Sequence, residues 1–212
     1  PIQLFGTISS PFSACQVIMT ALEECLRKET LAAVHDVHSR ATARALVYEQ
    51  IQHGHVQRLF VEYAHNDHGE DGDLNSFMYK KHLSIQSGQA VDASELAEEI
   101  RRKGYFGRLN QHDASPGLVE LAAFALSRGA QVIAADLSLE ETLEEVRKYN
   151  EWPVGHPNSE TNAAGETGLK FRDEFAAKRI AQYLIQGPDG PGRLMLWGAN
   201  HFQAIEGFKD RL

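Results

Sequence analysis

Residues 58–63 read Arg-Leu-Phe-Val-Glu-Tyr, with Leu59, Phe60 and Val61 in unbroken succession and the carboxylate of Glu62 directly behind them. A short, continuous apolar run of this kind suits a strand buried on both faces; a half-exposed strand would alternate apolar and polar residues. Three further runs share the character: Leu31–His35, Gln131–Asp136 and Arg193–Gly198. Between them the apolar residues recur at three- and four-residue spacing over Ser39–Gln52, Ala93–Lys103, Ala114–Arg128, Leu139–Tyr149 and Phe171–Ile185, the period of helices. Strands alternating with helices predict an α/β fold: a single domain with a central, mostly parallel sheet and helices on both faces. Within it, residues 1–30 form an N-terminal segment with a leading helix and residues 31–212 the α/β domain proper, one compact unit overall.

Composition agrees. The 212 residues are 42% hydrophobic and 24% charged, ordinary for a globular chain. Twenty-one basic against 29 acidic residues give a net charge of −8, which argues against a nucleic-acid-binding surface. Two cysteines, Cys15 and Cys25, are too few for a disulfide framework and stand too far apart on one helix to bridge. No stretch approaches the ~20 apolar residues of a membrane span. The first residues, Pro1 to Ser13, have neither a basic region nor a long apolar core, so no Sec signal is expected; their Ser/Pro content suits a flexible leader. Residues 66–73 and 152–168 are rich in turn-forming residues and are expected to be irregular.

An α/β sheet presents its site at the carboxyl ends of its strands. Reading outward from each strand gives His35, Asp36 and His38 after the first, Glu62 and then His65 in the second, Asp136 at the end of the third, and Gly198-Ala199-Asn200-His201 at the end of the fourth. Imidazoles and a carboxylate converging on one edge can supply a general base, an acid and an orienting partner, or three metal ligands. Glu62 stands out, because a carboxylate inside an apolar run is costly to bury unpaired. Asp36 and His38 also fit as cap and first-turn residue of the next helix, and Asp136 as part of the strand-to-helix turn. Arg172 and Asp173 belong to the helix that leads into the last strand. Arg172, read as first-turn, gains nothing there from the helix dipole, which implies a partner outside its own helix, such as Glu62, Asp36 or an anionic substrate group. The acidic segment 67–73 lacks oxygen ligands at the third and twelfth positions of an EF-hand, and Gly187–Gly192 lacks the Lys and Ser/Thr of a phosphate loop. There is no Gly-x-Ser-x-Gly elbow.

The order of these motifs resembles the EreA/ChaN-like superfamily, which includes erythromycin esterase, the haem-binding ChaN lipoproteins, the Tiki metalloproteases and domains of several bacterial toxins. Its pattern is a strand ending in Gly-x-x-His, a later strand carrying glutamate, a helix containing Arg-Asp, and a last strand ending in a second Gly-x-x-His. Here these are Ala32-Ala33-Val34-His35, then Glu62 27 residues on, then Arg172-Asp173, then Gly198-Ala199-Asn200-His201. Ala32 stands where the family has glycine and Ala33 where many members have glutamate. The Ser/Pro-containing start and compact size are also similar to the HopBA type III effectors of plant pathogens.

The resemblance implies a hydrolase-like virulence effector that is injected into a host cell, acts on a host protein or small molecule there, and triggers a response such as cell death, with recognition by a host immune receptor as a further implied partner. It implies His35, Glu62 and His201 as the catalytic set, with His35 a general base oriented by Glu62. Asp36, His38, Arg172 and Asp173 are supporting residues. No cofactor is expected on this reading. Two alternatives stand beside it: a haem-binding protein without turnover, or a metal-dependent peptidase whose ligands would be His35, Glu62 and His201. A chain of the bacterial cytoplasm is the alternative to secretion.

Overall fold

The computed structural model describes residues 2–5, 12–28, 31–37, 40–70, 72–106, 116–150, 166–186 and 190–198. Its centre is a parallel sheet of β1 (Ile2–Phe5), β2 (Leu31–Asp36), β3 (Arg58–Ala64), β6 (Gln131–Asp136) and β7 (Arg193–Gly198), in the order β1-β2-β7-β3-β6. The last strand therefore inserts between β2 and β3. Its register is Leu31↔Arg193 through Asp36↔Gly198 on one side and Arg58↔Arg193 through Val61↔Leu196 on the other. This threading puts the carboxyl ends of β2, β7, β3 and β6 in one row.

All four apolar runs are strands, and β2 and β3 each extend one residue further than their pattern suggested. β1 pairs with β2 from Ile2↔Leu31 to Phe5↔Val34, so these residues are an edge strand and not a flexible leader. β4 (His68–Gly69) and β5 (Gly72–Asp73) form a small antiparallel hairpin inside the segment expected to be irregular.

Residue alternation divides the sheet into two faces. On one, Ala32, Val34, Leu59, Val61, Val132, Ala134, Leu194 and Leu196 pack against α1 (Phe12–Leu26), α2 (Thr42–Gln52), α3 (Leu74–Gln86), α4 (Ala93–Arg102) and α5 (Leu118–Ser127). On the other, Leu31, Ala33, Phe60, Ile133, Met195 and Trp197 pack against Ala176, Ala177 and Ile180 of α7 (Glu166–Gln186). α6 (Leu139–Asn150) lies against α7. Helices thus cover both faces, unequally. Among the described residues no helix is long and apolar enough to cross a membrane.

α3 has no counterpart in the sequence pattern, because only Leu74, Phe77 and Met78 are buried along it. Asp73 starts it by accepting a hydrogen bond from the Ser76 amide at 2.9 Å. α7 begins five residues before the expected Phe171. Arg172 is therefore in its second turn, and the dipole, which acts within the first turn, does not account for its placement.

Candidate functional site

A crossover helix runs back against the strands it joins, so the N-terminal turns of α7 lie at the carboxyl edge of the sheet. Arg172, Ala176 and Ile180 follow one another at four-residue spacing, on one stripe of the helix. Ala176 and Ile180 are fully buried against the sheet, which directs Arg172 to the strand ends.

There Arg172 meets two carboxylates. Its Nε donates to Asp136 Oδ1 at 3.1 Å and Oδ2 at 3.0 Å; its Nη2 donates to Glu62 Oε1 at 2.7 Å and also to Asp136 Oδ2. Asp136 is 3% exposed, Glu62 11% and Arg172 20%. Burial works against the guanidinium charge, but Asp136 and then Glu62 outweigh it and hold the group above its ordinary pKa. One cation thus serves two largely buried anions, in a planar fork that only arginine presents.

The strand ends are fixed from several sides. Asp136 Oδ1 accepts from the Leu137 amide at 2.8 Å. Just beyond, Ser138 and Glu141 form a reciprocal capping box for α6, with the Ser138 amide donating to Glu141 Oε2 at 2.9 Å and the Glu141 amide donating to Ser138 Oγ at 3.2 Å. Asp136 therefore is the turn residue its position suggested and a partner of Arg172 as well. Glu62 also accepts from the backbone N–H of Gly198. His65 lies beside the cluster: its amide donates to Asp136 O at 2.9 Å, its Nδ1 is 3.1 Å from that same carbonyl and 3.7 Å from Glu141 Oε2, and its ring centroid is 4.7 Å from that of Phe175.

His35 shares the α7 face of the sheet with Glu62 by alternation, two strands away, and pairs in register with Trp197 on the strand between them. Burial pushes its imidazole below the ordinary histidine pKa, which favours the neutral ring. Asp36 takes the opposite face: Arg44 of α2, fully buried, brings Nε to 3.4 Å of its Oδ1. Asp173 is buried on α7. The structure thus joins Glu62 and Arg172 directly, with Asp136 as third member, and sets His35 on the same face and edge. His38 and His201 lie outside the described residues, as does most of the 152–168 segment.

Among the described residues no group of three or more His, Cys, Asp or Glu side chains is placed to hold a metal ion. At Glu62 a divalent ion would have to displace Arg172 or sit against its positive charge, so the residues present do not fit the metal-ligand role expected of Glu62. The chain matches no protein-family model, no curated protein and no solved structure.

Proposed function

We propose that the chain is a hydrolase-like enzyme of the EreA/ChaN kind, working at the carboxyl edge of its sheet as a bacterial effector on a molecule of the host cell. The observation that carries the reading is Arg172 held between Glu62 and Asp136 at the ends of adjacent strands, on the face and edge that also bear His35. A cation anchored by two buried carboxylates is preorganised: it keeps its position while charge develops on a substrate nearby.

In this mechanism His35 accepts a proton from water as the oxygen attacks a carbonyl carbon. The electron pair displaced onto the carbonyl oxygen is stabilised by Arg172 and by His201. Collapse of the adduct expels the leaving group, which takes the proton back from His35. Glu62 acts by fixing Arg172 rather than by orienting His35, since its carboxylate is engaged by Arg172 and the Gly198 amide. The cation of the site is Arg172, so no metal enters the scheme. The host-cell setting rests on the resemblance to type III effectors.

The test is a comparison of host cells expressing the wild type, His35→Ala or Glu62→Gln at equal abundance, read for cell death and for changed proteins or metabolites. The reading expects a wild-type response that both variants lose. Folded variants that act like the wild type would overturn it.

A further inference from the structure

A cavity of about 1030 Å³ lies at the opposite end of the sheet, where β3, β6 and β7 begin, between α3 and α7. Its walls carry Arg58, Arg128, Arg179 and Arg193, with His82. Arg58 and Arg193 are register neighbours on adjacent parallel strands, so two guanidinium groups start side by side. Arg58 spends part of its donor capacity on Gln131 Oε1 at 3.1 Å and on the Tyr183 carbonyl at 3.1 Å, both neutral acceptors. Arg179 lies over the Tyr183 ring at 5.7 Å and Arg128 over the Phe124 ring at 5.5 Å, contacts that orient a guanidinium and leave its charge uncompensated. Among the described residues none of Arg58, Arg128 and Arg179 has a carboxylate partner. The one acidic residue in the described lining, Asp73, is committed to capping α3, where it accepts from the amide and the hydroxyl of Ser76.

This concentration of positive charge is local in a chain whose net charge is −8. Like charges gathered in a concave, partly buried space repel one another unless a counter-charge joins them. The Arg58 guanidinium is destabilised first by burial and then by the neighbouring Arg193. A cavity of this volume is at the upper end of the range of small-molecule sites. Planar guanidinium forks match phosphate and carboxylate oxygens, and several of them together favour a ligand with more than one negative charge.

We propose that this cavity is a binding site for a compact small-molecule polyanion bearing phosphate or carboxylate groups, separate from the cluster around Arg172. It stands independently of the hydrolase reading. Calorimetric titration of the intact chain at low ionic strength tests it, with pyrophosphate and citrate as the two probes. Saturable binding of at least one of them, at one site per chain, is expected. The Arg128→Gln/Arg179→Gln variant should weaken it at least tenfold, whereas Arg27→Gln, in the turn just after α1 and paired with Glu23, should leave it unchanged. Neither Arg128 nor Arg179 is fully buried, and unchanged melting of the double variant confirms that it is folded. Should that variant melt early, the single Arg179→Gln variant carries the comparison. Failure of both probes to bind at millimolar concentration would overturn the proposal. So would equal weakening by Arg27→Gln, the mark of diffuse charge attraction.

Discussion

Glu62 occupies the space that a side chain at Gly198 would need. A Cβ at position 198 would stand 2.5 Å from Glu62 Oε2, while the Gly198 amide donates to that same carboxylate. The glycine that opens the Gly-x-x-His motif thus leaves room for the Glu62 carboxylate across two neighbouring strands, independently of any chemistry by the histidine. Gly198→Ala should push the Glu62 carboxylate off the Gly198 amide and away from Arg172, at a cost of about 1–3 kcal/mol, the range for disturbing a buried charged hydrogen bond. The check is a double-mutant cycle in denaturant with Glu62→Ala. Once Glu62 is gone the alanine fits, so the two losses should be non-additive by more than ~0.5 kcal/mol. Additive losses would mean that the clash is with something other than Glu62.

Arg172 is the common partner of Asp136 and Glu62. Arg172→Ala leaves two neighbouring, largely buried carboxylates facing one another without a cation, and should destabilise the fold by roughly 3–5 kcal/mol at pH 7. The sign with pH follows. Unpaired, both carboxyls acquire folded pKa values above their unfolded ones, so the variant recovers stability as they are protonated, and its deficit relative to wild type shrinks from pH 7 towards pH 4. Arg172→Lys should restore only part of the loss, since one ammonium cannot reproduce the bidentate contact with Asp136 while also reaching Glu62. Chemical denaturation of the three proteins at both pH values measures this. A deficit that does not change with pH would show that Arg172 acts through packing.

What could be read from the sequence follows from how local each signal is. The four longer strands, β2, β3, β6 and β7, announce themselves because burial on both faces demands continuous apolar runs such as Leu59-Phe60-Val61. Glu62 was conspicuous for the same reason, as the one charge inside such a run. β1 is only four residues long and carries no comparable pattern, and α3 has only three buried residues, all in its first half, before Lys80 and Lys81. Asp136 looked like a turn residue because it is one. Its second role depends on Arg172, 36 residues away, and on the insertion of β7 between β2 and β3, which no local period encodes. Asp36 reads as a site residue from its place at a strand end, yet alternation sends it to the opposite face, where Arg44 holds it. His65 had no signal beyond following Glu62 by three residues.

Asn75 closes the free edge of β6. Its Nδ2 donates to Ala134 O at 2.9 Å and to His65 O at 3.2 Å, and its Oδ1 accepts from the Ala134 amide at 2.9 Å, so one side chain does what a neighbouring strand would do there. Asn75→Ala should cost about 1–3 kcal/mol, the penalty for leaving buried backbone groups unsatisfied. It should also speed hydrogen exchange at the Ala134 amide well beyond the change at Val132. Equal protection at Ala134 in variant and wild type would show that water replaces the side chain at no cost.

Two histidines in different parts of the molecule set the acid limb of stability. His35 at the carboxyl edge and His82 in the basic cavity both have pKa values pushed below 6.5, chiefly by burial. For His82 the Arg58 charge adds to this, and a hydrogen bond with the Ala130 backbone opposes it. A histidine whose folded pKa lies below its unfolded value binds fewer protons when folded, so stability rises with pH through that window. The contribution is complete above pH 6.5 and is lost as the pH falls below 6.5 towards the folded pKa values. Denaturation midpoints should therefore fall between pH 7 and pH 5, before ordinary carboxylates titrate. His82→Gln should flatten part of that fall, and His35→Gln/His82→Gln should flatten more, whatever either substitution does to stability at pH 7. The His35 limb should also appear in activity, as a loss of rate with an apparent pKa below 6.5 when the imidazole gains the proton that disables it as a base. A midpoint that stays level from pH 7 to pH 5 in the wild type would contradict the burial of both rings.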